Sequence, residues 1–227
     1  MALALFDLDN TLLAGDSDHL WGEFLVQQKL VDGTAYKAKN NQFFQDYQQG
    51  TLDIQAYLAF QLAFLAQCEQ TVLYRWRDRF MAERVLPIVA PHARDLLHRH
   101  RQRGDTLVII TATNRFVTEP IAQALGVPHL LATEVEEHEA RFTGRSTGIP
   151  CFREGKVHRL QAWMQEHQQS LADSWFYSDS HNDLPLLTQV THPVAVDPDA
   201  TLRQIAAEKG WEILSLRQPH PPKRWLA

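Results

Sequence analysis

The chain has 227 residues, of which 44% are hydrophobic and 22% charged, with a formal net charge of -5. This size and composition predict a globular protein with one large core and room for a modest second unit. The acidic balance excludes a basic surface for nucleic acid. The two cysteines, Cys68 and Cys151, form no CxxC pair, which argues against a disulfide framework or a zinc–thiolate site. With no basic leader and no apolar run of about 18 residues, we expect a cytoplasmic protein with no membrane partner.

The stretch ALFDLDNTLL, which begins at residue 4, predicts a short buried strand over residues 3–8 that leads into Asp7 and Asp9. Two neighbouring carboxylates repel each other, and burying them is costly unless a cation pairs with them. We expect the strand to end near Asp7 and the following loop, with Asn10 and Thr11, to bring Asp9 toward the same site.

Residues 16–83 carry apolar side chains at three- and four-residue spacing and predict four helices, rich in aromatics and glutamine. After Pro87, helical segments alternate with short β-rich runs, and a hairpin is expected to turn near Glu139 and Ala140. This order predicts an α/β fold: a Rossmann-like parallel sheet with helices on both faces and a helical bundle inserted after the first strand. The predicted division is a core of residues 1–14 and 88–227 and a helical cap of residues 15–87. The Pro-rich end, RQPHPPKRW, is expected to be loose.

Polar side chains follow several of the predicted strands. Ligands of open α/β sheets bind at the carboxyl ends of the strands, so we expect these side chains to converge on one crevice. They are Asp7 and Asp9 after the first strand, Thr111 after LVII, and Asp179, Asn182 and Asp183 after WFYS, with Lys156 at the start of a helix. Clustered carboxylates favour Mg²⁺, and a hydroxyl with a lysine suits a phosphoryl group. One carboxylate could then attack phosphorus while another moves protons.

Each of these residues also has a purely structural explanation when taken alone. Thr111 suits a strand end or helix cap, Lys156 a solvated helix, and Asp179 and Asp183 a turn or a first helical turn. An EF-hand is excluded because the sixth position of the loop that begins at Asp7 is Leu12, not glycine. A zinc or Ser-His-Asp site in DSHND is disfavoured, since adjacent side chains rarely face one reaction centre. The common position of all these polar residues at one edge of the predicted sheet favours a catalytic site over the separate structural explanations.

In this order and spacing the motifs resemble those of the haloacid dehalogenase superfamily of aspartate-nucleophile phosphatases. FDLDNT is similar to the first motif, LVIIT to the second, Gly155-Lys156 to the third and YSDSHNDLPLL to the fourth. The helical insert and the segment TGRSTGIPCFREGKVHRL resemble the phosphoserine-phosphatase-like subfamily IB. Ser178 stands where the fourth motif often has glycine, which keeps a small residue there.

The resemblance implies a role for each matched residue. Asp7 would be the nucleophile that forms an aspartyl-phosphate, and Asp9 the acid and base. Thr111 and Lys156 would hold phosphate oxygens, with Asn182 nearby. The implied Mg²⁺ ligands are Asp7, the backbone carbonyl of Asp9, and Asp179, with Asp183 supporting the metal or Lys156.

The residues that would read the substrate depart from the phosphoserine phosphatase pattern. Asp16 stands where those enzymes carry a glutamate for the amino group, and the arginine that reads the substrate carboxylate has no match. We therefore expect a small amine-bearing phosphomonoester, such as histidinol phosphate or phosphoethanolamine, bound by a monomer or homodimer. The alternatives are a phosphoserine phosphatase, a phosphotransferase of the same fold, and a catalytically silent metabolite-binding module.

Overall fold

The structure, a computed structural model, describes residues 2–218. Residues 219–227, which contain most of the Pro-rich end predicted to be loose, lie outside the described residues. Seven strands form one sheet in the order β4-β3-β2-β1-β5-β6-β7. All neighbours are parallel except β3 and β4, which form the predicted hairpin. The strands are β1 (Leu3–Phe6), β2 (Thr106–Asn114), β3 (His129–His138), β4 (Arg141–Thr147), β5 (Trp175–Ser178), β6 (His192–Val196) and β7 (Glu212–Leu214).

The strand order reverses at β1. The chain moves outward from β1 through β2 to β3, then returns to place β5 on the other side of β1. Phe6, the last residue of β1, pairs with Ile109 of β2 and with Tyr177 of β5. The crevice beyond the carboxyl end of β1 is therefore the topological switch point, where such sheets bind ligands.

Nine α-helices accompany the sheet within residues 2–218, and the four helices predicted for residues 16–83 are confirmed as α1–α4. None of the described helices is both long and apolar enough to span a bilayer. The helices are α1 (Ser17–Gln27), α2 (Gly33–Gln49), α3 (Ile54–Leu62), α4 (Gln70–Phe80), α5 (Ala93–Gln102), α6 (Arg115–Leu125), α7 (Glu154–His167), α8 (Leu184–Leu187) and α9 (Ala200–Lys209).

Both faces of the sheet are covered, as the continuous apolar strands predict. Leu3 and Leu5 of β1 face a core made with α7, α8 and α9. Ala4 and Phe6 face the opposite way, into a core made with α5 and α6. The alternation follows from the two-residue period of a strand, and it confirms the doubly covered sheet.

The helical insert (residues 15–87) shares that second core. Trp21 of α1 is 1% exposed and packs edge-on against Phe80 of the insert and Phe116 of α6, with ring centroids 5.1 and 5.7 Å away. A single apolar cluster therefore runs from the insert helices to the sheet.

Two details of the strands differ from the expectations. The first strand ends at Phe6, next to Asp7, rather than at residue 8, because the chain turns within residues 8–12, where Asn10 is left-handed. The segment HLLAT and the first arm of the hairpin form one continuous strand, β3. The hairpin turn itself lies at Glu139 and Ala140, which both take the left-handed conformation that two-residue hairpin loops require.

Candidate active site

The loop after β1 places two carboxylates at the switch point. The N–H of Asp7 donates to the carbonyl of Tyr177 at 2.9 Å, which continues the β1–β5 ladder by one bond. Asp9 is extended, and Asn10 is left-handed with φ of 58°, a conformation that asparagine tolerates better than most residues. The turn closes when Leu13 N–H donates to Leu8 O at 3.0 Å. Asp7 and Asp9 consequently face the same crevice.

Lys156 lies between two buried carboxylates. Its Nζ is 2.7 Å from Oδ1 of Asp7 and 2.7 Å from Oδ1 of Asp183, and all three residues are at most 5% exposed. Oδ2 of Asp183 also accepts the Ser178 hydroxyl at 2.7 Å. The ammonium group of Lys156 supplies part of the positive charge that Asp7 and Asp9, the two acids of the first motif, require.

Glycine at position 155 makes this placement of Lys156 feasible. A Cβ at Gly155 would lie 2.0 Å from the carbonyl oxygen of Pro150, which is a backbone atom and cannot swing aside. Only glycine allows this close approach of the Pro150 segment to the first turn of α7. The Gly155-Lys156 pair is therefore explained by packing as well as by chemistry.

Thr11 joins Asp7 to Asp179, which the sequence reasoning missed because it treated Thr11 as a turn residue. The Thr11 hydroxyl accepts the N–H of Asp179 at 3.1 Å. Its proton points to Oδ1 of Asp179 at 3.2 Å and Oδ2 of Asp7 at 3.4 Å. Thr11 and Asp179 are 168 residues apart, so no local pattern could reveal this contact.

Asp9 is held between the insert and β2. Its Oδ1 accepts the N–H of Ser17 at 2.6 Å, and its Oδ2 accepts the hydroxyl of Thr113 at 2.8 Å. Thr111 is 1% exposed, and its Oγ1 accepts the N–H of Thr113 at 3.2 Å. The second strand thus delivers two hydroxyls, Thr111 and Thr113, beside the two acids.

The carboxylates raise one another's pKa. Withdrawal from water raises the pKa of Asp7 to about 7, with Asp183 and Asp9 acting in the same direction and Lys156 against them. Burial, followed by the charge of Asp16, raises the pKa of Asp9 to about 7. Burial and the charge of Asp7 raise the pKa of Asp179 well above its usual value. Perturbed acids of this kind are typical of functional sites.

The pKa of Lys156 shifts in the direction that favours its charged form. Burial alone would lower its pKa, but attraction to Asp183 and Asp7 outweighs that effect, so the pKa of Lys156 lies above its usual value. The residue is therefore a fixed positive charge at neutral pH.

One cavity connects this cluster to the helical insert. Asp16 lies in its wall as the N-cap of α1, where Oδ1 accepts the N–H of His19 at 2.8 Å. The sheet side of the cavity is lined by Asp7, Asp9, Thr111, Ala112 and Thr113. The insert side of the cavity is lined by Asp16, Asp18, His19, Asn40, Phe43, Phe44, Tyr47, Leu52, Ile54 and Tyr57. Trp21 of α1 is buried in the core and does not line the cavity.

Asn182, predicted to lie near the phosphate, bridges the insert and the sheet. Its Oδ1 accepts Nε and Nη2 of Arg153 at 3.1 and 3.0 Å, and its Nδ2 donates to the carbonyl of Tyr47 at 3.2 Å. Arg153 also donates to the carbonyl of Gly50, the left-handed C-cap of α2. Together these bonds form the insert bridge, defined by Arg153, Asn182, Tyr47 and Gly50.

The donor set suits a hard divalent cation. Asp7 and Asp179 present carboxylate oxygens on either side of the Thr11 hydroxyl. Within residues 2–218 no three histidine, cysteine or acidic side chains already surround one point. Mg²⁺ commonly takes one or two carboxylates and completes its shell with water and substrate phosphate, so two acids satisfy its protein-ligand requirement.

Comparison with known proteins identifies the family. Residues 4–188 match the family described as haloacid dehalogenase-like hydrolase. The chain is 43% identical over 219 residues to a histidinol-phosphatase of Neisseria meningitidis serogroup C, covering 95% of this chain and 99% of that protein. It is 32% identical over 221 residues to a phosphoserine phosphatase of Mycobacterium tuberculosis, covering 95% of this chain and 71% of the relative.

Solved structures agree on the fold. A protein of unknown function from Bordetella pertussis Tohama I superposes with a TM-score of 0.89 at 42% identity, covering 95% of this chain and 98% of that one. A phospho-aspartyl intermediate analogue of phosphoserine phosphatase superposes with a TM-score of 0.70 at 15% identity, covering 96% and 94%, which supports the fold alone. The chain thus belongs to the haloacid dehalogenase-like hydrolase family, and within it this protein is a phosphatase.

Proposed function

We propose that this phosphatase hydrolyses a small amine-bearing phosphomonoester, with histidinol phosphate as the first candidate, through an aspartyl-phosphate intermediate and with Mg²⁺. The observation that carries the proposal is the single cavity that joins Asp7, Asp9 and Thr111 to the acidic wall of the insert. A phosphate ester spanning this cavity would meet nucleophile, acid and phosphate-holding groups at one end and carboxylates at the other.

In the first half of the reaction, the Asp7 carboxylate attacks phosphorus as the ester P–O bond breaks. Lys156 holds Oδ1 of Asp7 at 2.7 Å and fixes the orientation of the carboxylate. The leaving alkoxide takes a proton from Asp9, where burial raises the pKa and favours the protonated form relative to an exposed aspartate. Lys156 and Thr111 stabilise the charge on the transferring phosphoryl oxygens.

In the second half, Asp9 acts as the base. Its carboxylate removes a proton from water, the resulting hydroxide attacks phosphorus, and the bond to Asp7 breaks to release phosphate. The hydrogen bonds from Ser17 and Thr113 hold both oxygens of Asp9 in place for these two proton transfers. A pKa near the working pH serves both directions of transfer.

Mg²⁺ would be held by the carboxylates of Asp7 and Asp179 and by the backbone carbonyl of Asp9. When bound, the ion supplies positive charge against the phosphate oxygens and the neighbouring acids. Asp183, which contacts Lys156 at 2.7 Å, would support the site by positioning that ammonium group.

The insert would act as a cap of residues 15–87 that selects the leaving group. Among the described residues that line the cavity there is no arginine or lysine, so a substrate carboxylate would find no cationic side chain of that kind and would face the carboxyl groups of Asp16 and Asp18. Asp16 offers an acceptor for an ammonium group. The similarity to the histidinol-phosphatase of Neisseria meningitidis supports a substrate with an amine and no carboxylate.

The test is a comparison of kcat/KM for histidinol phosphate, phosphoethanolamine and phosphoserine, measured as released phosphate with Mg²⁺ and with EDTA. We expect histidinol phosphate to exceed phosphoserine by about 100-fold or more, because a buried carboxylate without a cation partner is strongly rejected. Activity should disappear in EDTA. Equal or better hydrolysis of phosphoserine would overturn the substrate assignment.

The nucleophile has a separate test. Asp7→Asn keeps the size of the side chain and should lower kcat by more than about 10³-fold on every ester, since the covalent step is lost. The circular dichroism spectrum should remain that of the folded protein. Mg²⁺-dependent turnover near the wild-type rate in this variant would remove Asp7 from the mechanism.

A further inference from the structure

A second carboxylate, Asp18, lines the insert end of the cavity and has no charged partner. Asp18 is 3% exposed, and no arginine, lysine or histidine within residues 2–218 forms an ion pair with it or with Asp16. Its Oδ2 accepts the hydroxyl of Tyr57 at 2.9 Å, and its Oδ1 accepts Nδ2 of Asn114 at 3.3 Å. Both partners are neutral, so they orient the carboxyl group without supplying a positive charge to it.

The partners of Asp18 are themselves held in one orientation. Asn114 caps α6, where its Oδ1 accepts the N–H of Val117 at 3.2 Å, which directs its Nδ2 to Asp18. Gln61 is 1% exposed, and its Nε2 donates to the Tyr57 hydroxyl at 3.1 Å. The Tyr57 proton is therefore committed to Asp18.

The same buried glutamine orients the next part of the wall. Nε2 of Gln61 lies 3.2 Å from Oδ1 of Asn40, and Nδ2 of Asn40 lies 3.0 Å from the carbonyl of His19 and 3.2 Å from its Nδ1. Burial lowers the pKa of His19, which favours the neutral ring that can accept at Nδ1. Gly22 provides the space, because a Cβ there would lie 2.6 Å from the Asn40 carboxamide.

These bonds use the donors of Tyr57, Asn114, Asn40 and Gln61 within the protein. Tyr57 and Asn114 donate to Asp18, Asn40 donates to His19, and Gln61 lies behind them. The strong acceptors that remain at this end of the cavity are the carboxylates of Asp16 and Asp18, and each carboxylate oxygen can accept more than one bond. Much of the remaining wall is aromatic, built from Phe43, Phe44 and Tyr47.

Two acids require more than one donor group from the ligand. Burial, followed by the charge of Asp16, raises the pKa of Asp18 well above its usual value, so the two acids oppose each other's ionisation. A ligand with a single ammonium group would pair one of them and leave the other buried without a charged partner. A ligand that also carries a second N–H group able to bear positive charge, such as that of an imidazolium, could pair with both.

We propose that Asp18 is a specificity-determining residue that accepts an N–H of a flat nitrogen heterocycle of the imidazole class on the substrate. Asp16 takes the ammonium group of the same molecule, and the aromatic wall packs against the ring. The inference rests on the proposed function and adds a second recognition point, separate from the amine.

The test compares two amino-alcohol phosphates that differ only in the ring. Histidinol phosphate carries an imidazole N–H, whereas phenylalaninol phosphate keeps the amine and a flat ring but has no ring donor. Wild-type protein with Mg²⁺ should favour histidinol phosphate by about 10- to 100-fold in kcat/KM, mainly through KM. Asp18→Asn, which removes the charge and one acceptor oxygen, should bring this ratio to roughly unity.

Two variants separate ring recognition from general effects. Asp16→Asn should lower kcat/KM for both esters and keep their ratio, because both carry the amine. Asp32→Asn makes the same change at an exposed position of the insert outside the cavity, and it should keep both the wild-type activity and the ratio.

Tyr57→Phe provides an independent arm if Asp18→Asn fails to fold. It removes the hydroxyl that orients Asp18, and it should lower the ratio several-fold. If folded Asp18→Asn keeps the wild-type ratio of kcat/KM for the two esters, the inference is overturned. If Asp18→Asn does not fold, a wild-type ratio in Tyr57→Phe overturns it instead. Wild-type protein that hydrolyses both amino-alcohol esters equally well, and better than phosphoserine, overturns it and leaves the proposed function intact. Hydrolysis of neither amino-alcohol ester overturns both.

Discussion

At the scale of single residues, the two acids of the first motif are stabilised by contacts from distant parts of the chain. Lys156 bonds Asp7 and Asp183 at 2.7 Å, and Thr11 links Asp7 to Asp179. One ammonium group does not neutralise the cluster, because the pKa values of Asp7 and Asp9 remain raised to about 7. The site therefore carries an electrostatic cost that a bound cation would relieve.

This cost predicts an unusual dependence of stability on pH in the metal-free protein. The pKa values of Asp7 and Asp9 rise from 3.8 to about 7, so the folded state binds more protons than the unfolded chain between those values. The free energy of unfolding should therefore fall as pH rises through this window. We expect the thermal midpoint in EDTA to drop by about 5 °C or more between pH 5 and pH 7.5.

Two comparisons check the cause. Asp9→Asn should flatten the pH dependence, whereas Asp32→Asn, an exposed acid, should keep it. Added Mg²⁺ should raise the midpoint more at pH 7.5 than at pH 5, because it binds the ionised acids. A slope in Asp9→Asn identical to that of the wild type would contradict this account.

At the scale of elements, the sequence predicts local structure well and contacts between elements poorly. The four insert helices, the hairpin at Glu139 and Ala140, and the end of β1 near Asp7 follow from periodicity and turn residues. The contacts of Thr11 with Asp179 and of Tyr57 with Asp18 join residues 168 and 39 positions apart. No local pattern encodes them, since periodicity reports only which face of an element is buried.

The candidate site likewise contains residues whose position the sequence predicts and contacts that it does not predict. The prediction brought Asp7, Asp9, Thr111 and Lys156 to one edge of the sheet because parallel strands share their carboxyl ends. It missed Asp18, whose position in the first turn of α1 resembles an ordinary helix acid. It did not foresee the contacts of the Asn182 carboxamide with Arg153 and with the Tyr47 carbonyl.

The start of α7 allows a sharp test at this scale. Gly155→Ala would place a methyl group 2.0 Å from the Pro150 carbonyl oxygen and shift the turn that carries Lys156. We expect a loss of about 1–3 kcal/mol in the free energy of unfolding. We also expect a decrease of about 100-fold in kcat/KM, since small displacements of positioning groups are costly.

Gly33→Ala is the matched control for that substitution. Its Cβ would meet only Val26 at an ordinary 3.5 Å, so activity should match the wild type and the free energy of unfolding should stay the same or rise by up to about 1 kcal/mol. Wild-type kcat/KM in Gly155→Ala would show that Lys156 does not depend on this close approach.

At the scale of the whole molecule, the insert and the sheet share one apolar core. Trp21 contacts Phe24 and Phe80 within the insert and Phe116 of α6. A side chain buried between two parts of a chain couples their unfolding, because neither part can open without exposing it. The insert is therefore expected to unfold together with the sheet.

Trp21→Ala tests this coupling. It should lower the free energy of unfolding by about 3–5 kcal/mol, the range for deleting a large buried aromatic side chain. In the wild type, urea unfolding followed by circular dichroism and by fluorescence should give one transition with the same midpoint for both signals. Leu86→Ala, at a side chain that is 46% exposed, should change stability by less than about 0.5 kcal/mol. Two separate wild-type transitions would contradict the shared core.

The insert bridge has a consequence for how this fold can diversify. Arg153 binds the carbonyl of Gly50, and Asn182 binds the carbonyl of Tyr47, so both attachments are to main-chain atoms of α2 and its C-cap. A substitution of the Tyr47 side chain would change the cavity wall and leave the carbonyl in place. These two attachments are thus independent of the side chains that α2 presents to the cavity. New leaving groups can be accommodated through mutation of the lining while the insert stays anchored over the same phosphoryl-transfer residues.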